Sequence, residues 1–194
     1  MKKARLYLFV FFLALSFVSC HEFNVYQRTE NNYGEEVDSM ASEYGLPAEY
    51  LKALIILECS GEKPAGTRFE PGNYRKLIEL RDGKRRRFQG LSRSAVYGLS
   101  NAAIKNLATS WGPFQLMGYQ CLRLGVFVKD IRGDEAVKWG VKWIHSTYGN
   151  YLKSGKYEEA FRIHNSGRPH GRTTDPNYVS NGLSHMKYFS EKTL

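Results

Sequence analysis

Among the ionisable residues, Glu58 stands out by its spacing. It lies seven residues after Leu51, four after Leu54 and three after Ile55, so in a helix it shares their apolar face and points inward. Burial disfavours a carboxylate, and so does the negative end of the helix macrodipole, in whose last turn Glu58 falls. A carboxyl that holds its proton at the lip of a groove suits glycosidic cleavage, where the leaving oxygen must be protonated as an oxocarbenium-like transition state develops. Spacing alone leaves a second reading open, a buried glutamate paired with one of the chain's arginines.

Four segments bear on that choice. Ala53-Leu54-Ile55-Ile56-Leu57-Glu58-Cys59-Ser60-Gly61 ends an apolar helix on a glutamate close to a serine. About fifty residues on comes Ser110-Trp111-Gly112-Pro113-Phe114-Gln115-Leu116-Met117-Gly118, and then Ala160-Phe161-Arg162-Ile163-His164-Asn165-Ser166-Gly167 and Asp175-Pro176-Asn177-Tyr178-Val179. Together these resemble the catalytic helix end, the Gly-Leu-Met-Gln element, the Ala-x-x-Tyr-Asn-x-Gly element and the closing Tyr-Val helix of the lysozyme-like superfamily. Goose-type lysozymes, soluble lytic transglycosylases and phage N-acetylmuramidases belong to it, and the resemblance spans about residues 45–190.

The resemblance implies a lysozyme-like α+β fold, mainly α, with a helical core and a small loop or β-hairpin region. It also implies cleavage of peptidoglycan strands at the MurNAc-GlcNAc β-1,4 bond, with Glu58 as general acid/base. Carried over position by position, it makes Gln115 a sugar-binding amide and Phe114, Met117 and Tyr119 apolar or stacking walls. Ser60 and Asn165 become substrate contacts, while Trp111 only packs. His164 stands where tyrosine is usual, and an imidazole there can bond to Glu58, fill space or titrate in its own right.

Two chemistries fit one catalytic glutamate. A second carboxylate can support hydrolysis, for which Glu62 and Glu70, the latter in Arg68-Phe69-Glu70-Pro71, are the candidates. Alternatively the sugar's own hydroxyl attacks the anomeric carbon and leaves a 1,6-anhydro end. The lytic transglycosylase route leads narrowly, because neither carboxylate is a convincing partner. A non-catalytic peptidoglycan-binding lipoprotein is the reading from another class.

The elements that must position these residues read as helices. Pro47 opens one that runs to about Cys59 and stops at Gly61. Others are expected over Ala102–Leu107, after Trp111-Gly112-Pro113, over Asp134–Leu152, over Tyr157–His164, and over Pro176–Phe189 with Asp175 as N-cap. Between Thr67 and Leu99 the pattern is weak, and a short hairpin or long loops are expected. There are no internal repeats.

The N-terminus is organised differently. Lys2, Lys3 and Arg5 precede an apolar run from Leu6 to Val18, thirteen residues where a membrane-spanning helix needs roughly 20. This reads as the h-region of an export signal, residues 1–19. Phe17-Val18-Ser19-Cys20 resembles a bacterial lipobox, which implies lipid on Cys20. From His21 to Gly34 the composition is polar with no sustained period, so residues 20–34 read as a flexible tether ahead of a catalytic domain over residues 35–190. The expected location is outside the cytoplasm, on a membrane facing the periplasm or cell wall.

Export leaves Cys59 and Cys121 in an oxidising compartment, where they could pair or stay as small buried thiols. The chain's formal charge is +9, of which Lys2, Lys3 and Arg5 supply three, so residues 20–194 keep +6. For an exported chain such a balance points to the anionic wall and membrane surface rather than to nucleic acid. Arg81, Lys84, Arg85, Arg86 and Arg87 bunch around Asp82-Gly83, as a solvated turn or a loop for acidic polymer. No metal-ligand spacing, nucleophile turn, phosphate loop or dinucleotide fingerprint is present, so no metal and no cofactor are expected. The expected partner is peptidoglycan, with an envelope-spanning machine one setting for such an activity.

Overall fold

The structure, a computed structural model, describes residues 25–192. The expected export signal, residues 1–19, and Cys20 lie outside the described residues. Residues 25–29 are helical and continue without a break through a π-helical turn, Glu30–Gly34, into α1, Glu35–Tyr44. This corrects the expected tether, since the folded body begins at least ten residues earlier than residue 35. Tyr33, Val37 and Ala41 recur at four-residue steps and are buried, and that apolar stripe is what holds the segment down. The surrounding Glu30, Asn31, Asn32, Glu35 and Glu36 face outward or to partners and mask the stripe in a composition-based reading.

α2, Ala48–Cys59, is the axis of the molecule. Tyr50 through Ile56 are all buried, so the helix is covered on every side rather than along the Leu51, Leu54, Ile55 stripe alone. Each such apolar side chain contributes roughly 1.5–3 kcal/mol by leaving water. Lys52 is the exception within the run. Its Nζ lies 3.0 Å from Glu30 and 2.9 Å from Asp38, so burial, which lowers its pKa, is outweighed by two carboxylate partners that raise it.

After α2 the chain forms β1, Arg68–Phe69, and α3, Pro71–Arg81. A single 3-10 turn, Arg93–Ala95, precedes α4, Asn101–Leu107, which is capped by the Ser100 hydroxyl accepting from Ala103 N–H. β2, Thr109–Trp111, and β3, Leu116–Met117, follow. The remaining helices are α5, Gln120–Leu124; α6, Val128–Arg132; α7, Ala136–Lys153; α8, Tyr157–Ser166; and α9, Tyr178–Lys192. The three strands make one antiparallel sheet in the order β1-β2-β3, with Arg68 opposite Ser110 and Ser110 opposite Met117. The chain is therefore mainly α with a small sheet, but the sheet spans residues 68–117 rather than closing within 67–99.

Two expectations change here. The helix expected after Trp111-Gly112-Pro113 is instead the turn of the β2–β3 hairpin, because Gly112 (φ 70°) and Gln115 (φ 47°) both take left-handed backbone that no helix tolerates. The weak stretch from Thr67 holds α3, which Pro71 opens at its first position and Leu77 and Leu80 anchor.

The side chains bury into two clusters. One gathers α1, α2, α7, α8 and α9 around Tyr50, Leu54, Tyr148 and Phe161. The other gathers α3 to α6 and β3 around Leu77, Leu80, Ile104, Leu116 and Ile131. Trp143 of α7 packs against both, and Glu58 lies where the sheet faces the first cluster. Of the basic bunch, Arg81 donates to Leu99 O and Asn101 Oδ1, and Arg85 pairs with Glu79 at 2.9 Å, so part of it is structural.

Candidate active site

Glu58 occupies the last turn of α2, and its side chain is 17% exposed, neither sealed in the core nor free in solvent. The helix ends immediately after Cys59, because Ser60 (φ 53°) and Gly61 (φ 70°) turn the chain through left-handed backbone. Glu58 thus sits at the rim of an open groove of about 600 Å³. Opposite α2 the groove is walled by Thr67 and Arg68 before and within β1 and by Gln115 of the hairpin turn. Asn165 of α8 and Tyr178 at the start of α9 complete it.

The Tyr178 hydroxyl donates to Glu58 Oε1. Burial pushes the Tyr178 phenol well above its ordinary pKa of 10, and the negative charge of Glu58 and the hydrogen bond to it act the same way, so Tyr178 remains a proton-bearing donor. It holds one carboxylate oxygen and leaves Oε2 as the oxygen able to exchange a proton with a ligand. Tyr178 belongs to a motif that the sequence offers only as a closing helix, and its pairing with Glu58 is the main contact that sequence reasoning misses. The usable signal is chemical: a sheltered carboxylate needs a donor, and Tyr178 is the phenol that this motif supplies.

His164 lies close by, with Nε2 3.7 Å from Glu58 Oε1, but it bonds elsewhere. Nε2 is 3.1 Å from the Phe114 carbonyl, which can only accept, so the neutral ring carries its proton there and Nδ1 accepts from the Tyr148 hydroxyl at 2.7 Å. Burial lowers its pKa below the ordinary 6.5, against the opposing pull of Glu58 and the Phe114 carbonyl. His164 is therefore a neutral brace between α7, α8 and the hairpin turn rather than a counter-ion for Glu58. As pH falls below about 7, the unfolded chain takes up this proton before the folded one does, so stability is lost in that direction. The melting temperature of the parent should fall between pH 7.5 and pH 5 more steeply than that of His164→Gln, whose amide makes the same two bonds without titrating. Parallel slopes by differential scanning calorimetry would remove His164 from that dependence.

The hairpin residues divide in an unexpected way. Phe114 is buried at 1% exposure, with its ring in the space left by Gly140 of α7, where a Cβ would come within 2.3 Å of Phe114 Cδ2. Tyr119 is buried edge-on to Phe88, and Met117 packs on the second cluster. None of these three lines the groove, which corrects their expected role as stacking walls. The left-handed residues at 112 and 115 turn Phe114 down into the core while Gln115 reaches the groove.

Gln115 arrives there with its donors already engaged. Its Nε2 donates to Gly66 O at 2.7 Å and Gly112 O at 3.1 Å, and its Oε1 accepts from Ser110 Oγ at 2.6 Å. It ties the hairpin to the segment after α2 and leaves one acceptor lone pair for a ligand. Asn165 is the converse: its Oδ1 accepts from Thr174 N–H at 3.0 Å, while its amide nitrogen has no partner among the described residues and is available to the groove.

Glu62 and Asp175 also line the groove, and Glu70 does not. Glu70 is 2.7 Å from Arg68 Nε at the entry to α3, and Asp175 accepts from Asn177 N–H ahead of α9. Glu62 is mostly exposed, 4.0 Å from Arg28. Three described residues other than glycine take positive φ, and two of them, Ser60 and Gln115, line this groove. Such backbone costs about 1–3 kcal/mol where it occurs, and it concentrates at functional sites.

Among the described residues Cys59 and Cys121 are free thiols in different places, Cys59 beside the groove and Cys121 in the second cluster. No three His, Cys, Asp or Glu side chains converge among the described residues. A separate cavity of about 490 Å³, lined by Tyr33, Lys63, Trp111 and Arg132, shares only Thr67 with the groove. In comparison with known proteins, the chain matches no family model, no curated protein and no solved structure.

Proposed function

We propose that this chain is an exported peptidoglycan-cleaving enzyme of lysozyme-like fold, lipid-anchored through Cys20, in which Glu58 is the general acid and base. The observation that carries the reading is a partly sheltered glutamate held through one oxygen by a phenol, at the rim of an open groove with polar groups on its far side. Glu58 Oε2 gives its proton to the glycosidic oxygen as the bond to the anomeric carbon breaks. The Tyr178 hydrogen bond stabilises the carboxylate that this step produces. That carboxylate then takes the proton of the attacking hydroxyl, and the acid form returns.

Attack by the sugar's own hydroxyl is favoured over attack by water. No other carboxylate in the groove is held by a hydroxyl donor as Glu58 is, because Asp175 is committed to its turn and Glu62 stands in solvent beside Arg28. If hydrolysis occurs, Glu62 serves it better than Glu70, which is bound to Arg68 outside the groove. Mass spectrometry of purified peptidoglycan digested by residues 21–194 should show 1,6-anhydro ends. Reducing ends would instead establish a hydrolase, and intact strands that still retain the protein would establish a binding protein.

A further inference from the structure

The turn that ends α2 is held from outside by the N-terminal segment. Arg28 Nε donates to Ser60 O at 2.9 Å, Asn32 Nδ2 to Gly61 O at 2.8 Å, and the Tyr33 hydroxyl to Glu62 O at 2.6 Å. Three successive carbonyls of one turn are thus each claimed by a different side chain from one helical segment. The segment also fits the turn sterically: a Cβ on Gly61 would lie 2.4 Å from Thr29 Oγ1 and 3.0 Å from its backbone nitrogen, and Thr29 is wholly buried. In return Lys63 Nζ donates to Asn32 O at 3.2 Å.

The Arg28 and Asn32 contacts are not needed to cover a core, since both side chains are polar and only partly buried, and the Tyr33 hydroxyl adds a polar bond beyond the burial of its ring. What they do is fix the backbone of residues 60–62. Ser60 is the residue with left-handed backbone that stops α2, and Glu58 sits two positions before it in the last turn. A turn whose carbonyls are free can relax toward right-handed backbone, and the final turn of the helix then frays, carrying the Glu58 carboxyl away from Tyr178. A catalytic group displaced by about 1 Å can lose on the order of a hundredfold in rate.

We propose that Arg28, Asn32 and Tyr33 form a positioning strap that sets the geometry of Glu58 through the Ser60–Glu62 turn, an inference that rests on the reading of Glu58 as the acid/base. The strap lies outside the residues that line the groove. It acts as a brace, in the way that ordered supporting residues fix a reacting group from behind.

The same turn contains a reporter that does not depend on catalysis. The Cys59 thiol contacts Glu62 O at 3.8 Å, the carbonyl that Tyr33 also holds. Burial pushes that thiol up to about 11, so it reacts slowly while the turn is closed. In a form of the protein lacking residues 1–20, Asn32→Asp and Tyr33→Phe should each lower kcat on peptidoglycan about tenfold with KM within twofold. Alkylation of Cys59 by iodoacetamide, read by peptide mass spectrometry, should quicken severalfold, while the buried Cys121 serves as an internal reference. Arg28→Ala should behave likewise and Arg28→Lys should recover most of the loss, since an ammonium can still donate to Ser60 O. Gln27→Ala, which removes a side chain that among the described residues bonds only Asn31, should change neither readout. Unaltered Cys59 alkylation in the strap variants would overturn the proposal, and so would faster alkylation with unchanged kcat. A parent that cleaves no glycan would refute the reading of Glu58, and the Cys59 rates would then still decide whether the segment holds the turn.

Discussion

Glu58→Gln should abolish turnover of peptidoglycan almost completely, lowering kcat by about 10³-fold, since a positioned acid/base contributes on the order of 10²–10⁴. The amide keeps the size of the carboxyl and its oxygen can still accept from Tyr178, so the groove and the fold are preserved. What is lost is the exchangeable proton on the second atom. The variant should melt within about 2 °C of the parent and sediment equally well with insoluble peptidoglycan, while soluble fragment release falls to background. Retention of a tenth or more of the parent rate would show that Glu58 is not the acid. Glu70→Gln is the contrasting case. Its carboxylate is committed to Arg68 and lies off the groove, so release should stay within twofold of the parent.

The partly sheltered place of Glu58 in the last turn of a helix was legible because helical spacing and side-chain type carry that information locally. Leu51, Leu54 and Ile55 define a face, and Glu58 interrupts it. The helices at Ala48, Asn101, Ala136, Tyr157 and Tyr178 were legible for the same reason, within a few residues at their ends. The hairpin walls were not. Whether Phe114 faces a groove or the core depends on the left-handed backbone at Gln115 and on the space over Gly140, 26 residues further on, and no local pattern records either. The N-terminal segment failed for a related reason. Its three apolar anchors lie at clean four-residue steps among polar residues whose partners, Ser60 to Glu62, are about thirty residues away. Composition registers the polarity of Asn32 but not the carbonyl that it satisfies.

Tyr178 shows a third way for information to be hidden. Its place in a helix can be read from sequence, but its role exists only because α9 packs along α2 and delivers the phenol to Glu58 across 120 positions. Phe161 stands at that docking, between α2 and α9. The ring is fully buried in α8, its centroid 4.5 Å from that of Tyr50 and 6.4 Å, edge-on, from that of Tyr178. It also fills the surface left bare by Gly182 of α9, where a Cβ would come within 2.8 Å of the ring.

Phe161→Ala should therefore act on stability and on the site together. Removing a fully buried phenyl ring costs about 3–5 kcal/mol through lost transfer energy and the cavity left behind, a large part of the roughly 5–15 kcal/mol that separates a folded domain from its unfolded chain. Urea unfolding followed by circular dichroism should show the midpoint falling by more than 1 M, taking a slope of about 1–3 kcal/mol per M. Phe161→Leu keeps most of the volume and should cost about half as much, yet it removes the ring that meets Tyr178 edge-on. If Tyr178 is placed by that ring, the leucine variant should lose turnover at temperatures where it remains fully folded, with KM little changed. If turnover instead tracks the folded fraction alone, Phe161 serves only the core and α9 finds its position without it.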